Sequence, residues 1–310
     1  MPSVLANTLL AAALTAAPIQ VPTAAAPAYR MVVLGTLGGD NSHASAMNDL
    51  GDVVGRSQAA DGTYRGFFWH LGQMVDLGAF APTDVNNQGQ VIGTRDGGLG
   101  PHIWHQGVLR PLVGLTAAPV AINDRGQIVG SGDTGPVLWT NGHVRPLPLD
   151  AVSDINESSQ VSGGVLHPPD GFHAALWHLG RGTDLGAGPF NRSNTYALND
   201  LGWTIGWQFS AQQYPRGILW RNGRAMDIGT LGGNTTEPRA INNSGDILAM
   251  STAPDNFARP ALWRRGVLHD LSLAGISRQG EVVDLDDQGR IAGWIRQDSG
   301  VVRAVVYQPQ

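Results

Sequence analysis

Apolar and polar positions alternate in short bursts along the whole chain, and seven of those bursts spell one phrase. An aliphatic residue leads into an Asn/Asp-rich pair, a Gly follows, and a brief apolar stretch closes the phrase. It reads AMNDLGDVVG at 46–55, DVNNQGQVIG at 84–93, AINDRGQIVG at 121–130 and DINESSQVSG at 154–163. It continues as ALNDLGWTIG at 197–206, AINNSGDILA at 240–249 and DLDDQGRIAG at 284–293. After each comes an apolar triplet closed by an aromatic: Trp69, Trp104, Trp139, Trp177, Trp220, Trp263 and finally Tyr307. Short apolar runs bounded by Gly, Asn and Asp predict strands joined by tight turns. Self-similarity at a spacing of 33 to 44 residues predicts a repeat architecture.

Each unit parses into four strands. In the sixth, 239–242 is the first, 243–245 the turn and 246–249 the second; 259–263 and 267–271 follow, joined through Arg264-Arg265-Gly266. Asn or Asp followed by x-Gly is a hairpin signal, because the side chain bonds its own backbone and Gly accepts the left-handed position. Third strands such as Phe67-Phe68-Trp69 and Ile218-Leu219-Trp220 are apolar at consecutive positions. Both faces of such a strand must be covered, as in sheets stacked between neighbours. Four-stranded units repeated radially form a β-propeller. The two ends are complementary: the seventh unit stops after its third strand, and 30–39 (RMVVLGTLGG) matches 224–233 (RAMDIGTLGG), the fourth strand and following loop of unit five. The fold expected is therefore all-β, a seven-bladed propeller spanning 30–308, with its ring closed by the N-terminal strand.

Composition narrows the partners. A net charge of −5 argues against nucleic acid, which needs a basic face to displace counterions. The chain has no Cys, which excludes disulfides and thiolate sites. The apolar run 5–17 is too short to span a bilayer and, with the small residues at 23–26, reads as an export signal. Residues 1–26 are thus expected to be a signal peptide or a disordered Ala/Pro-rich segment, and the protein to be a secreted monomer.

The pattern resembles the HAF-repeat family of predicted extracellular proteins, across about 30–308. Its Asp-Leu-Gly-Thr-Leu-Gly-Gly element is matched at 34–39 and 227–233, and its His-Ala-Phe-Leu-Trp element best at 173–177 (HAALW). The resemblance implies an extracytoplasmic propeller and brings no established reaction, substrate or catalytic residue.

Candidate chemistry lies where the phrase stops repeating. The loops between second and third strands vary most: 56–64, 167–170, 207–214 and 294–298. Trp207 and Trp294 open two of them and suit stacking on a sugar ring or another amphipathic ligand; the alternative is packing over the ends of neighbouring blades. With Arg56, His167, Tyr214 and Arg296 they form the predicted ligand-binding set. The Arg or His four before the aromatic (Arg65, His173, Arg216, Arg259, Arg303) is expected to brace adjacent blades. Asp84, Asp154 and Asp284 replace an Ala on the innermost strand. They are expected to hydrogen-bond backbone or Arg across the channel; the alternatives are to bind a cation or, with His167 and Arg56, to serve an enzyme acting at the channel mouth. No metal site, cofactor, Ser-nucleophile or phosphate-loop motif is read, and 284–289 is taken as a turn rather than a calcium loop. The function expected is a binding or interaction module for a glycan or other extracellular ligand, with a propeller lyase, hydrolase or cyclase as the alternative.

Overall fold

The computed structural model describes residues 28–168, 171–186, 188, 192–210 and 212–310; the expected signal segment lies outside them. Seven four-stranded antiparallel sheets make up the chain, six of them in simple sequence order. Blade 1 starts with Gly38–Met47, blade 2 with Phe80–Val85, blade 3 with Ala121–Ile122 and blade 4 with Ala151–Ile155. Blades 5, 6 and 7 start with Ser193–Leu198, Thr236–Ile241 and Gly280–Leu285. Each of these first strands touches the first strand of both neighbours, the last also touching the first, so they ring a central axis. The protein is a seven-bladed β-propeller.

Closure follows the complementarity of the ends. The N-terminal strand Tyr29–Val33 is the outermost strand of blade 7 and pairs antiparallel with Val302–Pro309, Met31 facing Tyr307 and Val33 facing Val305. Stacked blades bury the third strands from both sides: Phe67, Leu138, Leu219 and Leu262 are all buried. Seven clusters of such residues fill the spaces between and within blades.

The repeated phrase is a blade-joining device. Its turn is a three-residue hairpin loop: in blade 1 the Asn48 N–H donates to Asp52 O, and the Gly51 N–H to Asn48 O, with Gly51 left-handed at φ 84°. Asn48 Oδ1 accepts the N–H groups of Leu50 and Asp52, while Nδ2 donates across the blade junction to Asn86 O at 2.9 Å. Asn86, Asn123, Asn156, Asn199 and Asn242 repeat that donation to the following blade. A carboxylate cannot donate, and blade 7 has Asp286 at this position. There Arg290 pairs with Asp286 and reaches Asp49 O at 2.8 Å, so a guanidinium supplies the bridge. The next residue of each turn forms a second ring. The N–H of Asp49 donates to Asn87 Oδ1, and so on through Asp124, Glu157, Asp200, Asn243 and Asp287, whose N–H returns to Asp49 Oδ1.

The phrase's terminal Gly has a packing cause. In five blades a β-bulge of the first strand, such as Thr195/Ala197 in blade 5, brings a carbonyl close to that Gly; blade 6 is bulged too and carries Ala249 there. A Cβ on Gly206 would lie 1.9 Å from Asn194 O, so no side chain fits.

Candidate functional site

The two ends of the axis differ in chemistry. At the turn end, the mouth of about 320 Å³ is lined by both Asn/Asp rings and by Asp154. Just inside lie the three carboxylates singled out on the first strands. Asp84 takes the N–H of Val85 and, across the junction, that of Ile122 (2.8 and 2.9 Å). Asp154 does the same for Ile155 and Leu198, and Asp284 for Leu285 and Met47. Innermost strands have no partner on the axial side, so their N–H groups need acceptors there. Six carboxylate oxygens thus cap six of the seven equivalent N–H groups, which is the backbone role expected of these residues.

Removal from water pushes all three carboxyls up, each against the pull of its two N–H donors. Asp154 rises to about 7 and Asp284 to about 6, with charge repulsion from further carboxylates adding to both. Asp84 is also raised, by burial first and then by Asp154 and Asp284. The grouping with Arg56 and His167 does not form. Arg56 is held in an ion pair with Asp96 of blade 2 at 2.7 Å, and His167 stands beside Asp184 of its own blade.

At the opposite end, a cleft of about 430 Å³ opens between blades 5 and 6. Its walls are Trp207 and Phe209, packed edge to face with centroids 5.1 Å apart, together with Pro215, Met250 and Ala258. Tyr196 and Glu237 supply its polar groups, the phenol donating to Glu237 Oε1 at 3.4 Å. Tyr196 is the bulged residue of its strand, and the bulge sets it toward the neighbouring blade. Burial first, then the Glu237 charge, raises its phenol above the usual value. Arg239 lies 3.4 Å from Glu237 on the cleft's edge.

Of the six predicted ligand-binding residues, Trp207 alone lines this cleft. Tyr214 is 44% exposed at the adjoining loop tip without reaching it. Trp294 sits two blades on, edge to face with His43 of blade 1 at 5.5 Å, so this Trp does pack against the neighbouring blade. Arg296 is exposed nearby and donates to Gly300 O, and its charge adds to burial in lowering His43. The six are distributed over blades 1, 4, 5 and 7 and do not share one site. Tyr196, Glu237 and Met250 escape a sequence reading, since nothing along the chain marks their strand positions as meeting. The signal available was Trp207-x-Phe209, two aromatics on one face of a strand end.

In blades 1, 4, 5 and 6 the basic residue four before the aromatic braces its own blade, not the adjacent one, whereas Arg303 of blade 7 donates to the neighbouring Val302 O. Arg65 pairs with Asp76 at 3.0 Å, Arg216 with Asp227 at 3.1 Å and Arg259 with Asp270 at 3.1 Å, each linking third strand to fourth. The register places these residues on adjacent strands of one sheet, well within side-chain reach. In blade 4 the same pair is His173–Asp184, at 2.9 Å.

Comparison with solved structures supports the fold. The chain is similar to the β-propeller domain of the trilobed protease from Pyrococcus furiosus, described as having an open velcro topology. That likeness has a TM-score of 0.59 at 10% identity over 86% of this chain and 95% of that one. It is also similar to a puromycin-hydrolyzing peptidase from Mycobacterium tuberculosis (TM-score 0.58, 13% identity), covering 91% of this chain and 51% of that one. The chain therefore spans about half of the peptidase's length. A chain of the mitotic checkpoint complex matches at TM-score 0.55 and 12% identity, over 99% of this chain and 100% of its own. At such identities the likeness establishes the propeller and no activity. No family model matches the chain, and no curated protein matches it.

Proposed function

We propose that this propeller is a secreted binding module whose ligand site is the cleft between blades 5 and 6, and that its ligand class is glycans. The observation that carries the reading is the cleft's make-up. Trp207 and Phe209 offer apolar faces, and the Tyr196 hydroxyl and Glu237 carboxylate stand beside them within the same concavity. Sugar rings present an apolar C–H face and a hydroxyl edge, which such a pairing of aromatic wall and directed acceptors recognises. The export part of the reading rests on the apolar run 5–17 and on the family resemblance.

The test is binding of the folded chain to an immobilised polysaccharide panel, followed by calorimetry on any ligand found. Trp207→Ala and Glu237→Ala are each expected to weaken binding about tenfold or more, equivalent to about 1.4 kcal/mol. Trp294→Ala should leave it unchanged. Folded variants of both cleft residues that bind like the parent would end the proposal, as would a panel without a ligand.

A second reading is favoured by the turn-end mouth, where burial raises Asp154 to about 7. A carboxyl near 7 can exchange protons with a substrate at neutral pH. Hydrolase or lyase activity abolished by Asp154→Asn, and untouched by Trp207→Ala, would establish it in place of the cleft.

A further inference from the structure

Blade 4 departs from its siblings at the ion pair that links third and fourth strands. In blades 1 and 6 one arginine is shared between two carboxylates: Arg65 between Asp61 and Asp76, Arg259 between Asp255 and Asp270. Blade 4 reverses this arithmetic. One carboxylate, Asp184, faces two imidazoles, with His173 Nδ1 at 2.9 Å and His167 Nε2 at 3.5 Å from the same oxygen, Oδ2. The residue four before His173, where Asp61 and Asp255 stand in those blades, is Pro169.

The three side chains come from three adjacent strands, Val161–His167, Gly171–His178 and Arg181–Gly186, so the sheet itself fixes their spacing. Val165 faces His173 and Ala175 faces Asp184 in register, which leaves His167 at the strand end leaning back over His173. The rings stack at 4.2 Å. Asp184 is oriented by a second contact, the Gly186 N–H donating to Oδ1 at 2.7 Å, so Oδ2 is the atom turned to the histidines. One atom from each side chain lies within 4.8 Å of the others. Among the described residues, His173 Nε2, on the far side of its ring, is buried without a hydrogen-bond partner. The His167 side chain is 43% exposed, with room to turn out of the stack toward a common point.

We propose that His167, His173 and Asp184 form a binding site for a divalent transition-metal ion of the zinc class. Two imidazoles and one carboxylate are the donor set such ions select, while magnesium and calcium prefer oxygen-only sites. Three protein ligands leave a tetrahedral ion one position for water, on the side where His167 and Asp184 are open to solvent. Blades 1, 5 and 6 cannot offer the site, because an arginine occupies the metal's place.

The experiment is calorimetric titration of the tag-free, metal-stripped full chain with zinc chloride, with magnesium chloride as control, alongside thermal unfolding with and without zinc. One zinc ion per chain and no magnesium is the expected result, with a rise in Tm on zinc addition. His167→Ala and Asp184→Asn should each weaken binding about tenfold or more. His173→Arg restores the Arg–Asp pair of the sibling blades, so it should fold, lose zinc binding and lose the zinc-dependent rise in Tm. Absence of saturable zinc binding by the folded parent overturns the site. So does zinc binding at parental affinity by folded His173→Arg.

Discussion

At the scale of single residues, the phrase that repeats is a set of hydrogen-bond obligations. The buried Asn of each turn uses its oxygen for two N–H groups of its own loop and its nitrogen for the next blade, as Asn123 does toward Asn156 O. No other side chain of that size both accepts and donates in this way. Blade 7 is the informative exception, because its Asp286 side chain is fully buried and is served by Arg290. Arg290→Gln alone should leave that carboxylate without its cation and cost about 3–5 kcal/mol of stability. The double change Asp286→Asn, Arg290→Gln rebuilds the pattern of blade 3 and is expected to return to within about 1 kcal/mol of the parent. Chemical denaturation of the parent, both single variants and the double variant measures this coupling. These roles were half legible in the sequence: recurrence marked the Asn as structural, but only the ring shows that its partner lies one blade away.

Among the elements, the N-terminal strand carries the most consequence for its size. Tyr29–Val33 covers Val302–Pro309, whose Val305, Val306 and Tyr307 are buried in blade 7. Without it, blade 7 would present an unpaired edge and an uncovered apolar strand. A chain starting at residue 35 is expected to lose its single cooperative unfolding transition and to aggregate, as followed by calorimetry and light scattering. Closure could be foreseen from the likeness of 30–39 to 224–233, because a missing strand at one end and a spare at the other are both visible in a linear text. The cleft at blades 5 and 6 could not. Tyr196 belongs to one blade and Glu237 to the next, 41 residues apart, and only stacking places them side by side.

For the molecule as a whole, closing seven blades around an axis concentrates carboxylates at one mouth. Asp154 and Asp284 hold protons in the folded state up to about pH 7 and 6, against 3.8 for an ordinary aspartate, and Asp84 is shifted the same way. Between about pH 4 and 7 the folded chain therefore binds more protons than the unfolded one, and stability falls as pH rises through that window. Acids held low, such as Asp61 at about 2 beside Thr63 and Arg65, titrate below it. His43, lowered by burial and by Arg296, works in the opposite direction below its usual value, but as one group against three. The three aspartates are only half-buried beside the channel, so the slope should stay well under the limit of about 1.4 kcal/mol per pH unit for each. The thermal midpoint is accordingly expected to fall from pH 5 to pH 8, and Asp154→Asn to make that fall shallower. A midpoint that rises over this range would show that the carboxylates are stabilised as anions.

By itself the sequence determined the architecture. Periodic strands, turn chemistry and complementary ends are local or countable, and seven units whose apolar strands need cover on both faces have few ways to pack other than a closed ring. Tertiary structure decided which side chains meet. Trp207 acquired Tyr196 and Glu237 across a blade junction, His167 acquired His173 and Asp184 across a sheet, and Arg56 was taken up by Asp96. Repetition makes every blade alike in backbone, so proximity between particular side chains depends on neighbours distant in the chain, which no spacing along it encodes.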